Sequence, residues 1–216
     1  MTAIMGLNGA GKTTLLRALS GVLSVDAGQV WLSGEEMTHI PARQRARNIS
    51  YVAQDTVASF PFTVRETVMM GRHPWQTGYF HSAADVDRVD AAMARLDLSS
   101  LSFRLVNTLS GGERQRVMLA RALAQQTPVI LLDEPLNHLD IRHRAFVLDI
   151  LREENRQRGV TIIAVLHELR DVQTHFDRAI LLRDGIVVAA GPVDEVITPQ
   201  RVREVFDVEP GRVMQC

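Results

Sequence analysis

The two longest apolar runs in this chain, Val129-Ile130-Leu131-Leu132 and Ile162-Ile163-Ala164-Val165-Leu166, each follow a stretch of helical periodicity. Short, near-continuous apolar runs are what strands need when both faces of their sheet are covered. Helices are expected from about 113 to 126 and from about 142 to 158, and another before a strand at 178–182. Alternation of this kind predicts an α/β fold, a mostly parallel sheet flanked by helices. Asp184-Gly185 before Ile186-Val187-Val188-Ala189 is a hairpin signal. Thr198-Pro199 is a good start for a helix over 200–206.

Nearer the start, Thr2-Ala3-Ile4-Met5 reads as the end of a buried strand, and Leu15, Leu19, Val22 and Leu23 recur at the spacing of a core-facing helix. Gln29-Val30-Trp31-Leu32 and Ile49-Ser50-Tyr51-Val52-Ala53 read as short strands. From Asp55 to Leu109 the character changes to capping signals and helical periods. Thr63 with Glu66, and Ser82 with Asp85, have capping-box spacing. Val86, Val89, Met93 and Leu96 then mark one helix face. The expected organisation is a single domain, its α/β core at 1–54 and 129–216, with a helical subdomain inserted at 55–128.

Composition removes several classes of function. Hydrophobic residues make up 46% of 216, enough to bury a core. The net charge of −1, with both signs interspersed, gives no basic stripe and so no reason to expect nucleic acid. A lone cysteine at the last position, Cys216, excludes a disulfide framework within the chain and reads as an exposed tail thiol. No apolar run approaches the about 20 residues of a membrane helix, so a role in transport would need another subunit for the pathway.

Three segments carry chemistry. Gly6-Leu7-Asn8-Gly9-Ala10-Gly11-Lys12-Thr13 is a phosphate-binding loop, followed by Thr14 in a helix. Its glycines let backbone N–H groups turn toward a polyphosphate, Lys12 supplies charge for the β- and γ-phosphates, and Thr13 an oxygen for Mg²⁺. Asp133 ends a buried strand, where it can hold Mg²⁺, and Glu134 can polarise a water that attacks the γ-phosphate. Ser110-Gly111-Gly112-Glu113 combines capping-box spacing with two glycines that leave a helix N-terminus open to an anion. His39, His73, His81, His138, His143 and His175 have no ligand spacing and read as surface histidines.

Leu109-Ser110-Gly111-Gly112-Glu113-Arg114-Gln115, set between the phosphate loop and Leu131-Leu132-Asp133-Glu134-Pro135, resembles the signature of ABC (ATP-binding cassette) transporter ATP-binding subunits. The resemblance spans nearly the whole chain and implies ATP and Mg²⁺ as ligands. It also implies a homodimer sandwiching two ATP, each signature helix facing the partner's nucleotide. By the same resemblance Gln54 matches the glutamine that reaches Mg²⁺ and couples to the membrane subunits. His167 matches the histidine that contacts the γ-phosphate, and Leu139-Asp140 the loop that crosses the dimer interface. Leu136 replaces the family's usual Thr or Ser. The family also implies a segment ahead of the phosphate loop bearing an adenine-stacking aromatic, so on this reading the chain starts late.

Ser59-Phe60-Pro61-Phe62-Thr63-Val64-Arg65-Glu66, Gly71-Arg72-His73-Pro74 and Asn137-His138-Leu139-Asp140-Ile141 resemble the importers of iron-siderophore, haem and cobalamin. That resemblance implies two membrane permease subunits and an extracytoplasmic substrate-binding protein, with this chain on the cytoplasmic face of a bacterial membrane. The alternatives are another ABC importer or exporter subunit and a soluble ABC ATPase of translation or DNA repair. The last usually joins two cassettes or inserts long coiled coils, and neither is present here.

Overall fold

The computed structural model describes residues 1–54 and 61–207. The expectations that rest on Ser59, Phe60 and Cys216 lie outside the described residues. β1 (Thr2–Gly6) runs through the phosphate loop into α1 (Lys12–Leu19). That helix ends in a Schellman motif: the amide of Gly21 donates to Ala18 and that of Val22 to Arg17. The reversal at Gly21 stops the helix before Val22 and Leu23, which are 71% and 43% exposed rather than core-facing. Leu16 takes the fully buried position instead. Hydrophobic spacing alone does not register a glycine that turns the chain back.

The strand expected over Gln29-Val30-Trp31-Leu32 forms only in its second half. β2 (Trp31–Leu32) pairs with β3 (Glu35–Glu36) in a small hairpin apart from the main sheet, and Trp31 is exposed. α2 (Ala42–Asn48) then leads into β4 (Ile49–Val52), which stops before Ala53.

The next segment is helical, with α3 (Val64–Met69), a 3-10 turn (Met70–Trp75), α4 (Ala83–Arg95) and α5 (Gly111–Gln125). All three α-helices open with complete capping boxes, from Thr63–Glu66, Ser82–Asp85 and Ser110–Glu113. Val68, Val89, Met93, Leu96 and Val117 share one apolar cluster with Ile130, Leu132, Val147 and Leu148. The helical segment thus packs onto the same core as the sheet. Arg72, almost fully buried, pairs with Asp85 at 2.8 Å and also donates to the carbonyls of Ala124 and Gln125.

Alternation resumes with β5 (Val129–Asp133), α6 (Ile141–Arg158), β6 (Thr161–Val165), α7 (Leu169–His175), β7 (Arg178–Arg183), β8 (Ile186–Pro192), α8 (Val193–Val196) and α9 (Pro199–Phe206). The main sheet has the order β4-β5-β6-β1-β7-β8, parallel except for β8, which returns antiparallel through Asp184-Gly185. Successive strand residues bury on opposite faces. Ala3, Met5, Ile130 and Leu132 belong to one cluster, Ile4, Leu131 and Val165 to the other. This confirms a sheet covered on both sides. No helix among the described residues is long and apolar enough to cross a membrane.

Candidate functional site

In a parallel sheet the loops after neighbouring strands emerge side by side, and ligands bind at the carboxyl ends. Four adjacent strands meet that condition here. Registers of Val52 with Leu132, Asp133 with Val165 and Ile4 with Val165 bring the ends of β4, β5, β6 and β1 to one edge. Gln54 follows β4, Asp133 ends β5 with Glu134 next, His167 follows β6, and the phosphate loop follows β1. Asn8, Gly9, Gly11, Lys12, Thr13, Thr14, Gln54, Glu134 and His167 line one open cavity of about 520 Å³.

The loop's construction explains its residues. Gly6 leaves no room for a side chain, because a Cβ there would lie 2.2 Å from the Leu182 carbonyl oxygen. Ala10 is buried and its carbonyl accepts from the Gly185 amide, so Gly6 and Ala10 build the loop without lining the cavity. At the N-cap, Gly11 has a left-handed φ of 94° and gives α1 no side-chain cap. The first-turn amides therefore face the cavity without an intrahelical partner, an arrangement suited to phosphate. Lys12 Nζ donates to the carbonyls of Gly6 (2.9 Å) and Leu7 (3.0 Å), and burial pushes its pKa down against the pull of Glu134 and Asp133.

Asp133 is fully buried beneath this loop. The Thr13 hydroxyl donates to its Oδ1 at 3.2 Å and the Tyr51 hydroxyl to its Oδ2 at 3.4 Å. Burial raises its carboxyl pKa, partly offset by the Thr13 hydrogen bond. A buried carboxylate beside a threonine hydroxyl, at the foot of a phosphate-shaped loop, is a donor set of the kind Mg²⁺ takes with nucleotide oxygens. Tyr51 was not singled out from the sequence. Its contact follows from strand register, which pairs Tyr51 with Leu131 and so puts it on the sheet face of Asp133.

Glu134 departs from extended geometry, with a left-handed φ of 53°. Three side chains among the described residues hold its carboxylate. Gln54 Nε2 donates to Oε2 at 2.8 Å, Asn137 Nδ2 donates to the same oxygen, and His167 Nε2 lies 2.7 Å from Oε1. Gln54, Glu134 and His167, read separately from the sequence, are in contact. Asn137 was missed as a site residue; an asparagine four residues past the strand end signals a turn but does not say what its amide holds.

Ser110, Gly111, Gly112, Glu113 and Asp140 do not line the cavity. Ser110 and Glu113 satisfy each other's backbone amides, and these bonds hold the Glu113 carboxyl below its usual range. The two glycines also have a packing role within this chain. A Cβ on either would come within 3.1 Å of His138, so they serve close packing against the turn after Glu134. Asp140 caps α6, accepting from the His143 amide at 2.8 Å. Among the remaining histidines, His39, His73 and His138 are exposed as expected, whereas His81, His143 and His175 are half-buried. Ring nitrogens of His81 and His175 are enclosed by neighbouring side chains and backbone rather than solvated.

Comparison with known proteins places this arrangement. The ABC transporter family model matches residues 1–137. The cobalamin import ATP-binding protein BtuD of Halobacterium salinarum is 42% identical over 207 residues, 96% of this chain and 52% of BtuD. The chain thus spans about half the length of that relative. The ferric enterobactin transport ATP-binding protein FepC of Escherichia coli is 40% identical over 95% of this chain and 76% of its own. The hemin import ATP-binding protein HmuV of Nocardia farcinica is 43% identical over 95% and 71%. Among solved structures, the dimeric bacterial ABC transporter cassette MJ0796 superposes with a TM-score of 0.81 at 26% identity, covering 89% of this chain and 85% of that one. With the family model, the close relatives and the fold in agreement, the chain belongs to the ABC transporter family and carries its ATP-binding cassette.

Proposed function

We propose that this chain is the ATP-hydrolysing motor subunit of an ABC importer for iron-siderophore, haem or cobalamin cargo. The observation that carries the reading is the convergence of Gln54, Glu134 and His167 on one cavity floored by the phosphate loop. The core at 1–54 and 129–216 supplies these groups, and the helical subdomain at 55–128 supplies the signature segment. The cargo class is supported by relatives named for cobalamin, ferric enterobactin and hemin.

ATP is the substrate. The first-turn amides of α1 and Lys12 bind and orient its phosphates, and Asn8, Gly9, Ala10 and Gly11 shape the backbone that approaches them. Thr13, Asp133 and Gln54 would hold Mg²⁺, which when bound neutralises charge on the β- and γ-phosphate oxygens. Glu134 accepts a proton from the attacking water as its oxygen bonds to the γ-phosphorus and the bond to the bridging oxygen breaks. His167 steadies the γ-phosphate. Catalysis on this reading is positioning and electrostatic stabilisation.

Ser110, Gly111, Gly112 and Glu113 of a second copy close over the same ATP, with Asp140 at the junction, as a homodimer requires. Dimeric MJ0796 supports that assembly. Two permease subunits and an extracytoplasmic binding protein complete the importer, with this subunit peripheral on the cytoplasmic face of a bacterial membrane. Glu134→Gln should bind Mg·ATP with unchanged affinity and lose turnover by a factor of at least about 100. A variant hydrolysing ATP at the parent rate would remove Glu134 from the reaction.

A further inference from the structure

We infer that Asn137 is a positioning residue for the Glu134 carboxylate and, among the described residues that hold it, the one that does not line the nucleotide cavity. The inference rests on the reading of Glu134 as the group that accepts the proton from water. Three side chains among the described residues hold this carboxylate, but they line different spaces. Gln54 and His167 line the nucleotide cavity; Asn137 does not. Asn137 instead lines a second, smaller cavity of about 160 Å³ behind the site, shared with Glu134, His167, Arg144 and Glu168. Glu134 and His167 are therefore the wall between the two spaces.

This division has a consequence for the bound state. A triphosphate engages His167 and its cation the Gln54 side-chain oxygen, so both side chains take on a second partner. Asn137, outside the nucleotide cavity, has no such competing demand. Its own placement is fixed twice over. The Asn137 amide donates to the Glu134 carbonyl at 3.2 Å, and Leu136, buried at the centre of the turn, anchors it to the core. The next residue, His138, is packed against Gly111 and Gly112. Glu134 also has a backbone conformation that surrounding contacts must hold in place. A neutral amide donor on Oε2 supplies that hold and leaves Oε1 free to meet the water once His167 turns to the phosphate. A carboxylate that loses this contact samples other rotamers, and small losses of alignment at a reacting group lower the rate steeply.

The test compares Asn137→Asp, which keeps the shape but replaces the donor with a second carboxylate, with Asn137→Ala, which removes the donor without adding charge, in the full chain. Steady-state Mg·ATP hydrolysis and the affinity for a fluorescent ATP analogue are measured on each, together with the thermal midpoint. Both variants should lower kcat by about tenfold or more, with KM and nucleotide affinity within twofold of the parent and an unchanged midpoint. In a Glu134→Gln background, adding Asn137→Asp should cost nothing further. Parent-level kcat in Asn137→Asp, with Glu134→Gln inactive, overturns the positioning role alone. An equal loss of affinity and kcat also overturns it, since that marks a general disturbance of the cavity. Full turnover in Glu134→Gln overturns the base assignment and the positioning role with it.

Discussion

A single methyl group separates Gly6 from a clash, because the Leu182 carbonyl oxygen stands 2.2 Å from where the Cβ would be. The oxygen belongs to a strand paired on both edges, so it cannot retreat cheaply. Gly6→Ala should destabilise the fold by about 3 kcal/mol and lose Mg·ATP binding with it. Equilibrium denaturation is the check, and a midpoint equal to the parent's would mean that β1 and β7 can separate. At this scale the sequence was informative wherever residue type and spacing define a chemistry. Lys12, Thr13, Asp133 and Glu134 could be named because a phosphate loop and an acidic strand end require them. Tyr51 and Asn137 could not, since one depends on strand register and the other on the path of a turn, neither of which spacing encodes.

Among the elements, the helical segment is tied together by one buried guanidinium. Arg72, in the 3-10 turn, joins Asp85 of α4 to the last carbonyls of α5. Removing it takes the nearest cation from a buried carboxylate and leaves it Ser82 and the more distant Arg88, so Arg72→Met should cost about 3 kcal/mol, measured by thermal or chemical unfolding. Burial alone would raise the Asp85 carboxyl; the bonds from Ser82 and Arg72 instead hold it at about 2. A depressed carboxylate stabilises the fold above its unfolded value, and that contribution disappears as pH falls from 3.8 toward about 2. An acid titration of the parent should show stability falling through this window, and Arg72→Met should begin its fall at higher pH. Helix starts were legible here because a capping box is written into four residues. The early end of α1 was not, because Gly21 outweighs the apolar spacing beyond it, and β2 shortened because a two-residue hairpin with β3 outcompeted joining the sheet.

For the molecule as a whole, the cavity is open and the Ser110–Glu113 segment stands apart from it on the same chain. Glu134→Gln with Mg·ATP should therefore run at twice the single-chain mass in light scattering, and return to single-chain mass with Mg·ADP. A nucleotide-saturated sample at single-chain mass would count against the sandwich. The overall α/β architecture was readable from alternation alone, but the adjacency of β4, β5, β6 and β1 was not, since strand order is decided by packing across the sheet. That adjacency makes the sheet edge a ruler. Neighbouring strands sit about 4.8 Å apart, so Gln54, Glu134, His167 and the phosphate loop are graduations on one scale. Inserting a single residue in β5 would rotate every later side chain to the opposite face, carrying Asp133 away from Thr13. Length variation among natural versions of this chain should therefore collect at the amino ends of these four strands and be nearly absent within them.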